Sequence, residues 1–174
     1  MTLTESGFEA LHSGDPRLRV VTIPTKTHPT RLTLRWGSGA LIVAHFVLAY
    51  DDEIEPIYGR TTDDWSYAYR DVRGWSTVSD HADGMTVDLN ALKHPLGVPN
   101  TFTSEKRAKI HSLLNHYDDA LYWGGDYQHR KDEMHFGCQG TYPHLEKVAR
   151  GLLDSKRGVI ICDANPGLRR YVLS

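Results

Sequence analysis

Two short stretches hold the residue types that bind a metal and move a proton. His81 and Asp88 stand seven residues apart with Gly84 between them, and a second cluster, Asp132-Glu133-Met134-His135, follows downstream. Zinc prefers imidazole and carboxylate ligands, and a catalytic zinc takes three protein ligands and keeps a fourth position for water. A turn at Gly84 entering a strand would let His81 and Asp88 act as two of them. The helical HExxH arrangement is absent, so any zinc is held on another framework. The second cluster leaves a choice. In an extended chain Glu133 and His135 share a face, whereas Asp132 and His135 meet only if the chain bends between them. A core histidine and a solvated acidic turn are the alternative readings of the two stretches.

The elements that must position these residues are partly legible. Residues 1 to 35 carry Pro16, Pro24 and Pro29 among the β-favouring pieces RVVTI and RLTLRW, which predicts an extended, wrapping segment with a structural role. Gly37 to Tyr50 has apolar residues at helical spacing, and DDEIEPIYG then reads as strand-like. Thr62 to Gly74 alternates aromatic and polar residues as a strand does, and MTVDLNAL is a β-favouring run through the core sheet. Thr103 caps an amphipathic helix over SEKRAKIHSLLNHY. ALYWGGDY and EMHFGC read as strands, PHLEKVARGLLDS as a helix with Pro143 near its start, and VIIC near the end as one more strand. The expected class is α+β, with a central antiparallel sheet carrying the site and helices flanking it.

Composition excludes several functions. At 174 residues the chain suits one compact domain, and no repeat, low-complexity tract or linker divides it. A net charge of -2 provides no basic field for nucleic acid. The longest apolar run, Ala40 to Tyr50, falls short of the ~20 residues of a membrane span, and His45 interrupts it. No signal peptide is visible at the N-terminus, so synthesis in a cytoplasm is expected. The two cysteines, Cys138 and Cys162, are too few for a disulfide framework and read as free thiols.

Taken together, SDHADGMTVDLN and DEMHF resemble the SxHxxGxAxD and (D/E)xxH motifs of the zinc D-alanyl-D-alanine carboxypeptidase and L-alanyl-D-glutamate endopeptidase family (VanY-like), which includes peptidase domains of bacteriophage endolysins. Ser79, His81, Gly84 and Asp88 fall on the first motif, and Asp132 and His135 on the second. Thr86 stands where the family has Ala, one small residue for another. The flanks WSYAYRDVRG, DLNALKHPLG and LYWGGDY also resemble phage-type members, so the likeness spans about Gly37 to Phe136. It implies a hedgehog/D,D-peptidase-like fold for a single domain over 1–174, with the motif-bearing core at about 37–136 and a C-terminal helix and tail at 143–174. It also implies one zinc ion held by His81, Asp88 and His135, and Asp132 as the base acting on the attacking water. Arg70 falls where the family has a substrate-binding arginine, with Arg73 as the alternative, and Ser79 resembles a substrate-contacting serine.

The implied activity is hydrolysis of a stem-peptide bond in bacterial peptidoglycan by a monomer made in the infected cell and acting on the wall. L-alanyl-D-glutamate endopeptidase is the first choice of bond and D-alanyl-D-alanine carboxypeptidase the alternative. A non-catalytic wall-binding or structural zinc domain is the rival of another class. Trp65, Tyr67, Tyr69, Trp123 and Tyr127 either line a groove or pack in the core. Glu133 is expected to be a solvated neighbour, and His45, His94, His111, His116, His129 and His144 match no motif position.

Overall fold

The computed structural model describes residues 2–72, 74 and 76–174, and its class is α+β. Its β structure forms two small antiparallel sheets where one central sheet was expected. The first is a hairpin of β1 (Leu18–Ile23) and β2 (Thr30–Arg35), in register from Leu18 opposite Arg35 to Ile23 opposite Thr30. Period-2 patterning sets its inner face: Val21, Ile23, Leu32 and Leu34 are buried. The second sheet contains β3 (Thr86–Asp88), β4 (Leu121–Trp123) and β5 (His135–Cys138), with β5 in the middle.

Helix α1 (Ser38–Glu53) occupies the centre of the molecule. Every residue from Gly39 to Asp51 is buried, as expected of a helix that is apolar on all faces. It packs on β1, β2 and β5 and on three further helices, α2 (Ser104–Leu114), α3 (Tyr142–Leu152) and α4 (Lys156–Ala164). The contact with the second sheet is aromatic, with the Phe46 and Phe136 rings 4.7 Å apart. His45, the polar residue in this apolar run, is satisfied from both sides. Ser155 donates its hydroxyl to the Leu152 carbonyl, so it accepts from His45 Nε2 at 3.1 Å, and Tyr117 donates to His45 Nδ1 at 2.8 Å.

Several local expectations are corrected. DDEIEPIYG is the end of α1 and a loop: the Asp51 carboxylate accepts the amides of Lys26 and Ile57, which ties the chain down without a ladder. The described residues of Thr62 to Gly74 are largely irregular and pair only at isolated bridges, Trp65 with Asp88 and Asp71 with Val78. VIIC lies inside α4, where the Ser155 hydroxyl caps Gly158 N at 3.0 Å and Ile161 is buried. A closing helix, α5 (Leu168–Leu173), had no sequence signal. Thr103 caps α2 as its sequence suggests, and Thr141 caps α3. No helix among the described residues is long and apolar enough to cross a membrane.

Candidate metal centre

The strand register brings two of the expected ligands together. In the β3–β5 pairing Asp88 lies opposite His135, Val87 opposite Phe136 and Thr86 opposite Gly137. Directly paired residues in an antiparallel ladder place their side chains side by side, and Asp88 Oδ1 is 2.9 Å from His135 Nδ1. His81 arrives from a single turn of 3-10 helix, Asp80–Asp83, which Gly84 terminates with a left-handed φ of 73°. Its Nε2 is 3.2 Å from the same Asp88 oxygen. The three ligand atoms lie within 4.8 Å of one another, and all three residues are buried.

The donor chemistry fits a cation. His81 Nδ1 lies 2.6 Å from the Ser66 carbonyl, which can only accept, so the ring proton sits there and the Nε2 lone pair turns inward. Burial pushes the His81 pKa down, favouring the neutral form that coordinates metal. Burial alone would raise the Asp88 carboxyl, but His81 and His135 hold it well below the usual range. Burial drives the His135 pKa down, but the hydrogen bond to Asp88 and the charges of Asp88, Asp132 and Asp80 together raise it. Two imidazoles around one ionised carboxylate form a donor set that zinc takes readily.

The chain bend that Asp132 requires is present. A turn spans the residues before β5, His135 N donates to the Asp132 carbonyl at 3.1 Å, and Asp132 N donates to the Gly124 carbonyl at 3.0 Å. Gly124 permits this approach, because a Cβ there would lie 2.5 Å from the Asp132 carbonyl oxygen and 3.1 Å from His135 Cβ. Asp132 Oδ1 is buried and has no hydrogen-bond partner among the described residues. Burial raises the Asp132 pKa to about 6, against the pull of His135, Arg130 and Arg70. A buried acceptor with an open valence beside the triad is placed to hold water and take its proton.

Glu133, the alternative partner for His135, is not a solvated neighbour. It is buried, and its carboxylate accepts the amides of Asn100, Thr101 and Phe102 at 2.8, 2.8 and 3.3 Å. It pins the loop ahead of α2. His94 also lies in this buried network, between Thr101 Oγ1 at 2.7 Å and Glu55 Oε2 at 3.1 Å.

A cleft of about 890 Å³ opens over the triad. Trp65 stacks on His81 with ring centroids 4.0 Å apart, and the Arg70 guanidinium lies 5.4 Å over the Trp65 ring. Arg70 and Asp132 both line the cleft. Arg73 lies outside the described residues. Ser79 lines the cleft and makes no side-chain hydrogen bond to a described residue. Of the candidate aromatics, Trp65 and Tyr127 line the cleft and Trp123 is buried in the core. Tyr67 donates to the Leu11 carbonyl and Tyr69 stacks on His12.

Sequence reasoning missed Tyr122, Asp80 and the N-terminal residues Glu5 and Ser6, all of which line the cleft. Tyr122 had a usable signal: it alternates with the buried Leu121 and Trp123 and so faces the opposite side of β4. The N-terminal residues had none, because a bridge between Thr4 and Val78 places them there. No curated protein and no solved structure matches the chain significantly. The model of the D-alanyl-D-alanine carboxypeptidase family matches residues 73–138, a stretch that supports a peptidase and contains the His81, Asp88 and His135 cluster together with Asp132.

Proposed function

We propose that the chain is a zinc-dependent peptidase that hydrolyses a stem-peptide amide of bacterial peptidoglycan, in the manner of a phage endolysin. The observation that carries this reading is the convergence of His81, Asp88 and His135 beside the partnerless Asp132 oxygen, within the family-matched stretch. Zinc held by the three residues would polarise the scissile carbonyl and lower the pKa of water toward ~7. Asp132, with its pKa near 6, takes the proton of the attacking water and returns it to the leaving amine. Arg70, permanently charged and braced on Trp65, holds a substrate carboxylate or the developing oxyanion. The Ser79 hydroxyl is free to bond the peptide backbone. The substrate partner is the wall, reached by a monomer made in the infected cell, with no part for nucleic acid or membrane.

Cleavage between L-alanine and D-glutamate is the first reading of the bond, on the phage-type flanks of the motifs. The family description favours D-alanyl-D-alanine carboxypeptidase as the second. Mass spectrometry of purified wall digested with and without a chelator separates the readings. Chelator-sensitive appearance of free N-terminal D-glutamate supports the first, and release of D-alanine alone replaces it with the second. Wall binding without any cleavage would make the chain a binding module.

A further inference from the structure

The inner side of His135 faces Asp88, and its outer side is held by a hydrogen-bond chain that ends on the N-terminal segment. His135 Nε2 lies 3.0 Å from the Tyr122 hydroxyl, Tyr122 donates to Asp80 Oδ2 at 2.7 Å, and the Ser6 amide donates to Asp80 Oδ1 at 2.6 Å. The strand geometry makes this reach possible. Tyr122 is paired with Gly137, which sits on the same face of β5 as His135, and a Cβ at Gly137 would lie 2.6 Å from the Tyr122 hydroxyl. The phenol therefore lies across the glycine toward His135. Asp80 and His135 are buried, and Tyr122 is half-buried between them.

The direction of the chain follows from what each atom can do. A carboxylate oxygen only accepts, so the Tyr122 proton points at Asp80 and the phenol oxygen is left to accept from His135 Nε2–H. That holds one ring proton on Nε2, so the proton His135 shares with Asp88 through Nδ1 is the one a cation would displace, leaving Nδ1 as the ligand atom. We propose that Tyr122 and Asp80, anchored by the Ser6 amide, are positioning residues that set the tautomer and ring orientation of His135 and thereby the metal affinity of the site. Segment 2–11, expected to be purely structural, is then part of the metal centre. It reinforces the same turn elsewhere: Ser6 Oγ donates to Asp83 at 2.9 Å and Leu11 N to the Ala82 carbonyl at 2.7 Å. The inference rests on the metal-site reading but not on the identity of the substrate.

The test measures Zn2+ affinity directly, by competition with a chromophoric chelator. Tyr122→Phe is expected to weaken zinc by on the order of 10- to 100-fold, the usual effect of removing a partner of a metal-bound histidine. Tyr117→Phe, which removes a buried hydroxyl bonded to His45 far from the site, controls for stability and leaves zinc affinity unchanged. Asp80→Asn tests direction: its amide nitrogen donates to Tyr122, whose proton then turns to His135 Nε2 and demands the wrong tautomer, so zinc weakens at least as much. Ring-nitrogen NMR of the zinc-loaded wild type should show His135 coordinated through Nδ1 and protonated at Nε2. Coordination through Nε2, or wild-type zinc affinity in a folded Tyr122→Phe, overturns the proposal. If no variant and no wild type binds zinc at all, the metal-site reading itself has failed.

Discussion

Asp88 and His135 are register partners in the β3–β5 ladder, with Oδ1 and Nδ1 2.9 Å apart, so the backbone pairing itself assembles two thirds of the triad. Removing the imidazole leaves that pairing intact. His135→Ala is therefore expected to fold, to lose zinc, and to lose the stabilisation that zinc confers by mass action, about 2.7 kcal/mol at a hundredfold excess over Kd. His129→Ala, a change in the same cleft lining but outside the triad, should keep both. Calorimetric titration and melting curves with and without zinc compare them, and equal metal loss in the two variants would remove His135 from the ligand set.

Asp132→Asn keeps the shape of the side chain and abolishes its basicity. Zinc content should stay at the wild-type level while kcat falls by about 10²- to 10⁴-fold, the range for a lost general base. Turnover measured on purified wall beside metal analysis decides this. Undiminished kcat would show that another group takes the proton.

Gly124→Ala places a methyl group against the Asp132 carbonyl and His135 Cβ, at 2.5 and 3.1 Å. Backbone cannot yield as a flexible side chain can, so an overpacking cost of roughly 1–3 kcal/mol is expected. The displacement should separate Asp132 from the triad. Activity should therefore fall further than the drop in melting temperature alone would explain.

Glu55 links α1 to the network that steadies Glu133. Burial opposes its ionisation, but hydrogen bonds from His94 and Lys106 prevail and hold its pKa at about 2 against an ordinary 4.5. A carboxyl whose pKa is lowered on folding stabilises the native state above the unfolded value. That contribution fades as pH falls from 4.5 toward 2. Glu55→Gln should then be less stable than wild type by roughly 1–3 kcal/mol at neutral pH, with the gap closing through this window. Denaturant unfolding of both proteins across the window measures it, and a gap independent of pH would contradict the assignment.

The elements that repeated a simple period were legible before the structure, and those defined by partners were not. α1 announced itself by apolar residues at helical spacing, and the cap Thr103 by its side-chain chemistry. VIIC has the composition of a strand, yet Ser155 as a cap and burial of Ile161 make it helical. The aromatic alternation of Thr62 to Gly74 has the pattern of a strand, but Trp65, Tyr67 and Tyr69 go to separate partners, and the described residues pair only at isolated bridges. At the site, spacing alone left Asp132 and Glu133 open, and the resemblance of the two motifs to the peptidase family implied His81, Asp88, Asp132 and His135, whose clustering depends on one register and one turn. The burial of Glu133 was hidden, because its partners are backbone amides more than thirty residues away.

The bridge between Thr4 and Val78, with Ser6 bound to Asp80, puts the start of the described chain at the lip of the cleft. For anyone preparing the protein this governs where foreign sequence can go. A histidine tag fused ahead of Thr2 would hang six imidazoles within reach of the very cation under study and blur every titration, whereas α5 ends at Leu173 among residues that line no part of the cleft. Affinity handles belong at that end.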